Sequence, residues 1–286
     1  MKHSMISLPV KALALFFIPM LSSCESKEED KFIGIQLWSV REAMQADPHG
    51  TLEALGEMGY AFIEAAGYGD GQFYGMDPLD FRQLVEKHGM VFLSSHTGRD
   101  LPGADGWEEA MDWWEECIDA HAAAGVKYIV QPWMGAAGYD SLEGLKAFCD
   151  YFNAIGAMCN EAGIRFGYHN HAGEFRSLEG VIIYDYMLEH TDPGKVMFQM
   201  DLYWAYDGGA DPVDYFRRFP GRFELWHVKD EAEVGASGLM DFERIYREAG
   251  LAGLKYSIVE VEQYNYEPLE SVRVSLDYML QADYVR

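Results

Sequence analysis

A single-domain α/β fold, a (β/α)8 barrel of the TIM type, is the class this sequence predicts, on three observations. From residue 32 to the end, short apolar runs alternate with longer amphipathic stretches, which implies parallel strands joined by crossover helices. The apolar runs number eight, enough to close a barrel. The last four end in polar clusters marked by His169, Asp201, His227 and Glu260, separated by 32, 26 and 33 residues, about one β/α unit each. Such a barrel places its chemistry at the C-terminal ends of its strands.

The strands are expected over residues 32–37, 61–65, 90–95, 128–131, 165–169, 196–200, 223–228 and 256–261. Between them the helices carry their own punctuation. The first runs over 48–58 after Asp47 and is stopped by Gly59; the second opens on Asp77-Pro78, a cap and a first-turn proline, and ends near His88-Gly89. In the third, Trp107, Ala110, Met111, Trp114, Cys117, Ile118 and His121 fall at helical spacing on one face, a pattern of core packing. Ser141 to Ala162 forms the fourth, closed by Gly163, and residues around 180–190, 212–219, 241–249 and 268–280 supply the rest. A doubly wound sheet would need a glycine-rich phosphate loop after the first strand, where Gly34-Ile35-Gln36-Leu37-Trp38 stands instead.

Residues 1–23 read as an export signal. They carry Lys2 and Lys11, no acidic residue, and an apolar stretch over 12–18 too short to span a membrane in a mature protein. Leu21-Ser22-Ser23-Cys24 resembles a bacterial lipobox, so Cys24 is expected to be lipidated and to anchor the chain in the cell envelope, periplasmic or at the surface. Residues 24–31 are a charged tether and 32–286 the barrel. The chain holds 22 basic and 47 acidic residues; without the two lysines of the signal the net charge is −27. A surface so acidic repels nucleic acid and offers no basic track for a phosphate backbone, which excludes DNA and RNA as partners. Cys117, Cys149 and Cys159 all fall in helical patterns without the spacing of a zinc knuckle or redox pair, so buried thiols are expected.

Strand alternation selects the residues that face the barrel mouth. His169 and His171 share one parity while Asn170 points between strand and helix. Two imidazoles and two carboxylates converging from successive strands suit a divalent ion, Zn²⁺ or Mn²⁺ first and Mg²⁺ less so, since nitrogen ligands disfavour the harder ion. Glu64 ends the second strand, His96 the third, and Gln131 with Trp133 the fourth. Glu64 serves either in function or as an ion-pair partner. Lys229 shares the parity of His227 and acts either as a base whose pKa the nearby ion depresses, or as an ion-pair partner of Asp230 or Asp201.

Four segments, 33–42, 168–171, 226–230 and Val259-Glu260, resemble the sugar phosphate isomerase/epimerase family, the xylose isomerase-like barrels, and the likeness spans the whole mature chain. The resemblance implies a metal held by Glu, Asp, His and Glu at the ends of strands five to eight. The matching residues here are His169, Asp201, His227 and Glu260, with His in place of the first Glu. His171 or Glu174 is then an alternative fourth ligand.

What this implies is a metal-dependent isomerase or epimerase acting on a small carbohydrate through an enediolate, with Glu174, His171 and Lys229 as candidate base and acid and Glu64 and His96 as further candidates. Loss of a β-substituent from the same intermediate would make it a 3-keto-glycoside lyase, and loss of turnover a carbohydrate-binding lipoprotein. An exported protein whose mouth shows no arginine cluster is expected to take a free sugar rather than a phosphorylated one.

Overall fold

The computed structural model describes residues 1, 31–103 and 105–285. The signal, the lipidation site Cys24 and the tether up to residue 30 lie outside the described residues, and among those described no helix is long and apolar enough to cross a membrane.

Eight parallel strands close a barrel in the order β1, β8, β7, β6, β5, β4, β3, β2. They are β1 Ile33–Gln36, β2 Phe62–Ala65, β3 Val91–His96, β4 Tyr128–Gln131, β5 Arg165–His169, β6 Val196–Asp201, β7 Leu225–Val228 and β8 Tyr256–Val259. All eight coincide with the expected runs. β7 starts two residues later and β8 stops two earlier, because Phe223 and Val261 are buried without ladder pairing.

The crossover helices are α1 Pro48–Met58, α2 Pro78–Lys87, α3 Trp107–Ala123, α4 Leu142–Glu161, α5 Ile183–His190, α6 Pro212–Arg218, α7 Phe242–Tyr246 and α8 Pro268–Gln281. Asp47 caps α1 by accepting from the Gly50 amide, and Gly59 ends it with φ +102°, a conformation that costs glycine nothing. On α3, Ala110, Trp114, Cys117, Ile118 and His121 are buried as expected. Trp107 is not: it is 44% exposed, with its ring set edge-to-face against Tyr151. Cys117, Cys149 and Cys159, the cysteines among the described residues, are buried free thiols. Lys31, expected in the tether, belongs to the barrel, where its ammonium donates to the carbonyls of Met279, Leu280 and Ala282 at the end of α8.

Inside the barrel the side chains stack in layers. Phe62 and Tyr256 pack edge to face at the base, with Tyr128 against Tyr256, and Leu93, Val130, Met197, Leu225 and Ile258 fill the middle. Two glycines make this possible. A Cβ on Gly34 would lie 2.1 Å from the Phe62 ring, and one on Gly167 would lie 2.4 Å from the Met197 methyl. Above the apolar layer the same inward parity delivers Gln36, Glu64, His169, Gln199 and His227, all buried. The apolar plug thus forms a dry floor for a polar upper layer.

Candidate metal and carbohydrate site

The upper layer is built by register. His169 pairs across to Gln199, two residues before Asp201, and Asp201 pairs to His227, so the three side chains share one parity at neighbouring strand ends, and Glu260 follows one residue beyond the end of β8. His169, Asp201, His227 and Glu260 each offer one ligand atom within 4.8 Å of the others, and all four are buried. His96, His169 and His227 form a second such group.

Two atoms of the first group test whether it suits a cation. Nδ1 of His169 and Oδ2 of Asp201 are buried with no hydrogen-bond partner. A buried polar atom left unpaired is costly, and here two of them belong to members of one cluster. The other oxygen of Asp201 is used, accepting at 2.7 Å from the Trp204 amide. The four residues therefore fit a divalent ion, with two imidazoles and two carboxylates as donors.

An ion held here would displace protons from Asp201 and His227, since ligating carboxylates and imidazoles must be deprotonated. Burial pushes the Asp201 carboxyl up to about 8 against the pull of Lys229. Glu260, though also buried, is held well below the usual carboxylate range by Lys229 and His227. Burial opposes charge on His227, yet Glu260 and Glu64 push its imidazolium up to about 10. His169 has no such help, and burial keeps it neutral well below its ordinary value.

A cavity of about 520 Å³ opens above the cluster, within the range of small-molecule sites. Its walls include Trp38, Tyr68, Thr97, Gly98 and Trp133, with His96, His169, His171, Glu260 and Glu262 contributing the polar groups. Trp38 and Trp133 are 45% and 40% exposed, which leaves their faces available to stack on a sugar ring. Among the described residues no lysine or arginine lines it.

The expected site residues divide. His96 and His171 line the cavity; burial lowers the pKa of His171. Glu174 does not reach it. The residue caps the turn Ala172–Phe175, one oxygen accepting from the His171 amide at 3.0 Å and the other from the Tyr139 and Tyr168 hydroxyls at 2.7 and 2.6 Å. Tyr168 belongs to the core outside the barrel wall, so Glu174 is neither base nor fourth ligand but a fastening of the loop. Glu64 lies beneath the cavity rather than in it, bonded to Gln36, Ser94, Gln199 and His227. Gln131 is buried and spends its amide on the carbonyls of Arg99 and Trp133.

Lys229 pairs with neither Asp230 nor Asp201 but with Glu260 at 3.4 Å and with Glu262. Burial opposes its charge, but Glu260, Asp201 and Glu262 raise its pKa. Asp230 instead accepts from Ser237 and the Gly235 amide. Glu262 was missed as a site residue, although it shares the inward parity of Glu260. Tyr68 reaches the cavity from a hairpin, Tyr68–Gly69 against Gln72–Phe73, which no periodicity announces.

Residues 52–282 match a family model described as "Xylose isomerase-like TIM barrel". Crystal structures of two proteins from Parabacteroides distasonis ATCC 8503, each called a sugar phosphate isomerase/epimerase, are similar across nearly the whole chain. One is 33% identical with a TM-score of 0.84, covering 90% of this chain and 100% of the other. The second is 30% identical with a TM-score of 0.85, covering 94% and 100%. An inosose dehydratase of Geobacillus kaustophilus (strain HTA426) is 25% identical over 194 residues. That match spans 63% of this chain and 61% of the dehydratase, less than two thirds of its length.

Proposed function

The chain belongs to the xylose isomerase-like TIM barrels, and from that premise we propose that it is a divalent-metal-dependent enzyme that isomerises or epimerises an unphosphorylated carbohydrate through an enediolate. The observation that carries this reading is the pair of unpaired buried polar atoms, His169 Nδ1 and Asp201 Oδ2, in a cluster whose His169 and Glu260 line a cavity that no described lysine or arginine lines. His169, Asp201, His227 and Glu260 would hold the ion, Zn²⁺ or Mn²⁺ by the nature of the donors. When bound, such an ion supplies Lewis acidity toward a carbonyl oxygen.

The remaining work falls to the protein. Trp38 and Trp133 present faces against which a sugar ring can stack. His96, His171 and Glu262 are the cavity groups that can take a proton from the carbon beside a carbonyl and return it. Lys229 is ion-paired with both Glu260 and Glu262. A phosphorylated substrate would meet Glu260 and Glu262 with no arginine to balance its charge, so a neutral sugar is the better fit.

The dehydratase relative favours a second outcome of the same first step, in which the intermediate expels a β-substituent, as in cleavage of a 3-keto-glycoside. Deuterium exchange in D₂O separates these readings. Purified protein loaded with Mn²⁺ or Zn²⁺ should wash deuterium into the position alpha to the carbonyl of a free keto-sugar, and the products then report isomer, epimer or eliminated fragment. Turnover of phosphorylated sugars alone would sink the substrate assignment. Sugar binding without exchange would favour a carbohydrate-binding protein. Export and anchoring through Cys24 belong to the same proposal, supported by the Leu21-Ser22-Ser23-Cys24 segment; a Cys24→Ala variant that still partitions to membranes would overturn them.

A further inference from the structure

Glu64 sits on the barrel axis side of β2 with its whole side chain buried and no contact with the cavity. Five donors surround it. Gln36 Nε2 lies 2.8 Å and His227 Nε2 2.6 Å from one oxygen, with His96 Nε2 at 3.0 Å from the same atom. Ser94 Oγ at 2.5 Å and Gln199 Nε2 at 2.8 Å approach the other. A carboxylate has about four lone-pair sites and, when ionised, donates nothing. Gln36, whose Oε1 already accepts from the Trp38 amide, can only donate, and with five partners crowding about four acceptor sites each turns a hydrogen toward the carboxylate.

That requirement reads out the state of two histidines. His227 carries a hydrogen on Nε2, so the ring atom it turns toward the cluster is Nδ1, 3.1 Å from Glu260. Gln199, with its amide nitrogen committed to Glu64, must present its oxygen to His96 Nε2 at 2.6 Å, so His96 also carries its hydrogen on Nε2. The Nδ1 lone pair of His96 is then left on a ring that lines the cavity. The local backbone serves the same end: the β2–β3 register shifts between Ile63 and Glu64, and beyond the shift Ser94 stands opposite Glu64.

We infer that Glu64 is a positioning residue that sets one tautomer on both His227 and His96, aiming the first at the metal position and the second at the carbohydrate. The inference rests on the metal-site reading above and gives the catalytic candidate Glu64 a different role. It is a carboxylate behind a ligating imidazole, shared with a second imidazole through Gln199.

The test uses the full chain and zinc alone. In Glu64→Gln, the amide nitrogen faces donors on at least one side, so the network must break. Zinc affinity, measured by calorimetry against a competing chelator, should fall by about 10- to 100-fold, the range typical for removing such a partner. Long-range ¹H–¹⁵N spectra of the histidine rings should show Nε2–H on His96 and His227 in the zinc-loaded parent protein and loss of that pattern in the variant. A Gln199→Met variant interrupts only the relay, so zinc affinity should stay within about threefold of the parent and His96, whose Nε2 also lies 3.0 Å from Glu64, should keep its Nε2–H. If Glu64→Gln does not fold, this variant and the parent spectra keep the test open. Unchanged affinity and unchanged tautomers in Glu64→Gln, a His96 hydrogen that moves to Nδ1 in Gln199→Met, or Nδ1–H in place of Nε2–H on His96 of the parent, would overturn the inference. A parent protein that binds no zinc would instead defeat the metal-site reading, and the His96 signal, which needs no metal, would still report on Glu64.

Discussion

Asn170 holds Asp201 by both ends of its own residue: the side-chain Nδ2 donates to the Asp201 carbonyl at 3.2 Å, and Oδ1 accepts from the Asp201 amide at 3.0 Å. The Tyr184 hydroxyl donates to the same Oδ1 at 3.3 Å. All of this lies between strand and helix, on the parity opposite His169. The neighbour of one candidate ligand thereby fixes the backbone of another. Asn170→Ala should leave the buried Asp201 amide unpaired and cost about 1–3 kcal/mol, read as a lower urea midpoint at unchanged slope. Because Asp201 loses its anchor, metal affinity should fall with it. An Asn170→Ala protein of parental stability and affinity would show that the clamp is idle.

An ion bound by the native barrel and not by the unfolded chain must stabilise it by mass action. At a free ion concentration about 100-fold above Kd the gain is ~2.7 kcal/mol, and for a barrel of this size each kilocalorie raises Tm by roughly 2–4 °C. Thermal melts should therefore rise by about 5–10 °C with Zn²⁺ or Mn²⁺ and fall back with a chelator. The shift should vanish in Asp201→Ala and Glu260→Ala. An equal shift in those variants would place the ion elsewhere.

The fold was legible because each strand is an apolar run of barrel-strand length and each helix carries its own stop, Gly59 after α1 and Gly163 after α4 among them. The cluster was legible for a related reason: inward parity at a strand end is a two-residue rule, and Asp201 and His227 obey it on strands that pair residue for residue. The rule fails past the strand. Glu174 lies in a 3-10 turn, where alternation has no meaning and the nearest hydroxyls, Tyr139 and Tyr168, decide its direction. Lys229 keeps the inward parity, but its pKa depends on Glu262, from the chain after β8, and no local pattern reveals that pairing. Glu64 was recognisable as inward and not as a hub, since its partners Gln36, Ser94 and Gln199 come from three other strands.

The reassignment of Glu174 makes a separable claim. Glu174→Gln keeps one acceptor and substitutes a donor that faces the Tyr139 and Tyr168 hydroxyls or the His171 amide. Stability should fall by about 1–3 kcal/mol, as expected when a buried partner is left unpaired. A residue at a proton-transfer position should instead lower kcat by about 10²–10⁴-fold at little cost in stability. The first result is expected here, with kcat reduced by less than about tenfold. A stable Glu174→Gln protein with kcat lowered a thousandfold would restore Glu174 to the catalytic candidates.

His121 supplies a pH dependence remote from the metal cluster. The ring is fully buried on α3, its centroid 4.8 Å from those of Tyr68 and Phe73, with Nδ1 donating to the Cys117 carbonyl at 2.6 Å and Nε2 unpaired. Burial holds its pKa down at about 4, against 6.5 in the ordinary state. Between those values the unfolded chain takes up a proton that the folded chain refuses. Its contribution to stability is therefore fully present above pH 6.5 and is lost as the pH falls toward 4. At about 1.4 kcal/mol per pH unit for one group, the loss approaches roughly 3 kcal/mol across the window. His121→Phe replaces the ring with an aromatic that has nothing to titrate. Urea unfolding at pH 7 and pH 4.5 should show a smaller acid-induced drop for His121→Phe than for the parent, whatever the offset at neutral pH. Parallel stability curves for the two proteins would mean that the buried imidazole is protonated in the fold and that the hairpin carrying Tyr68 and Phe73 tolerates its charge.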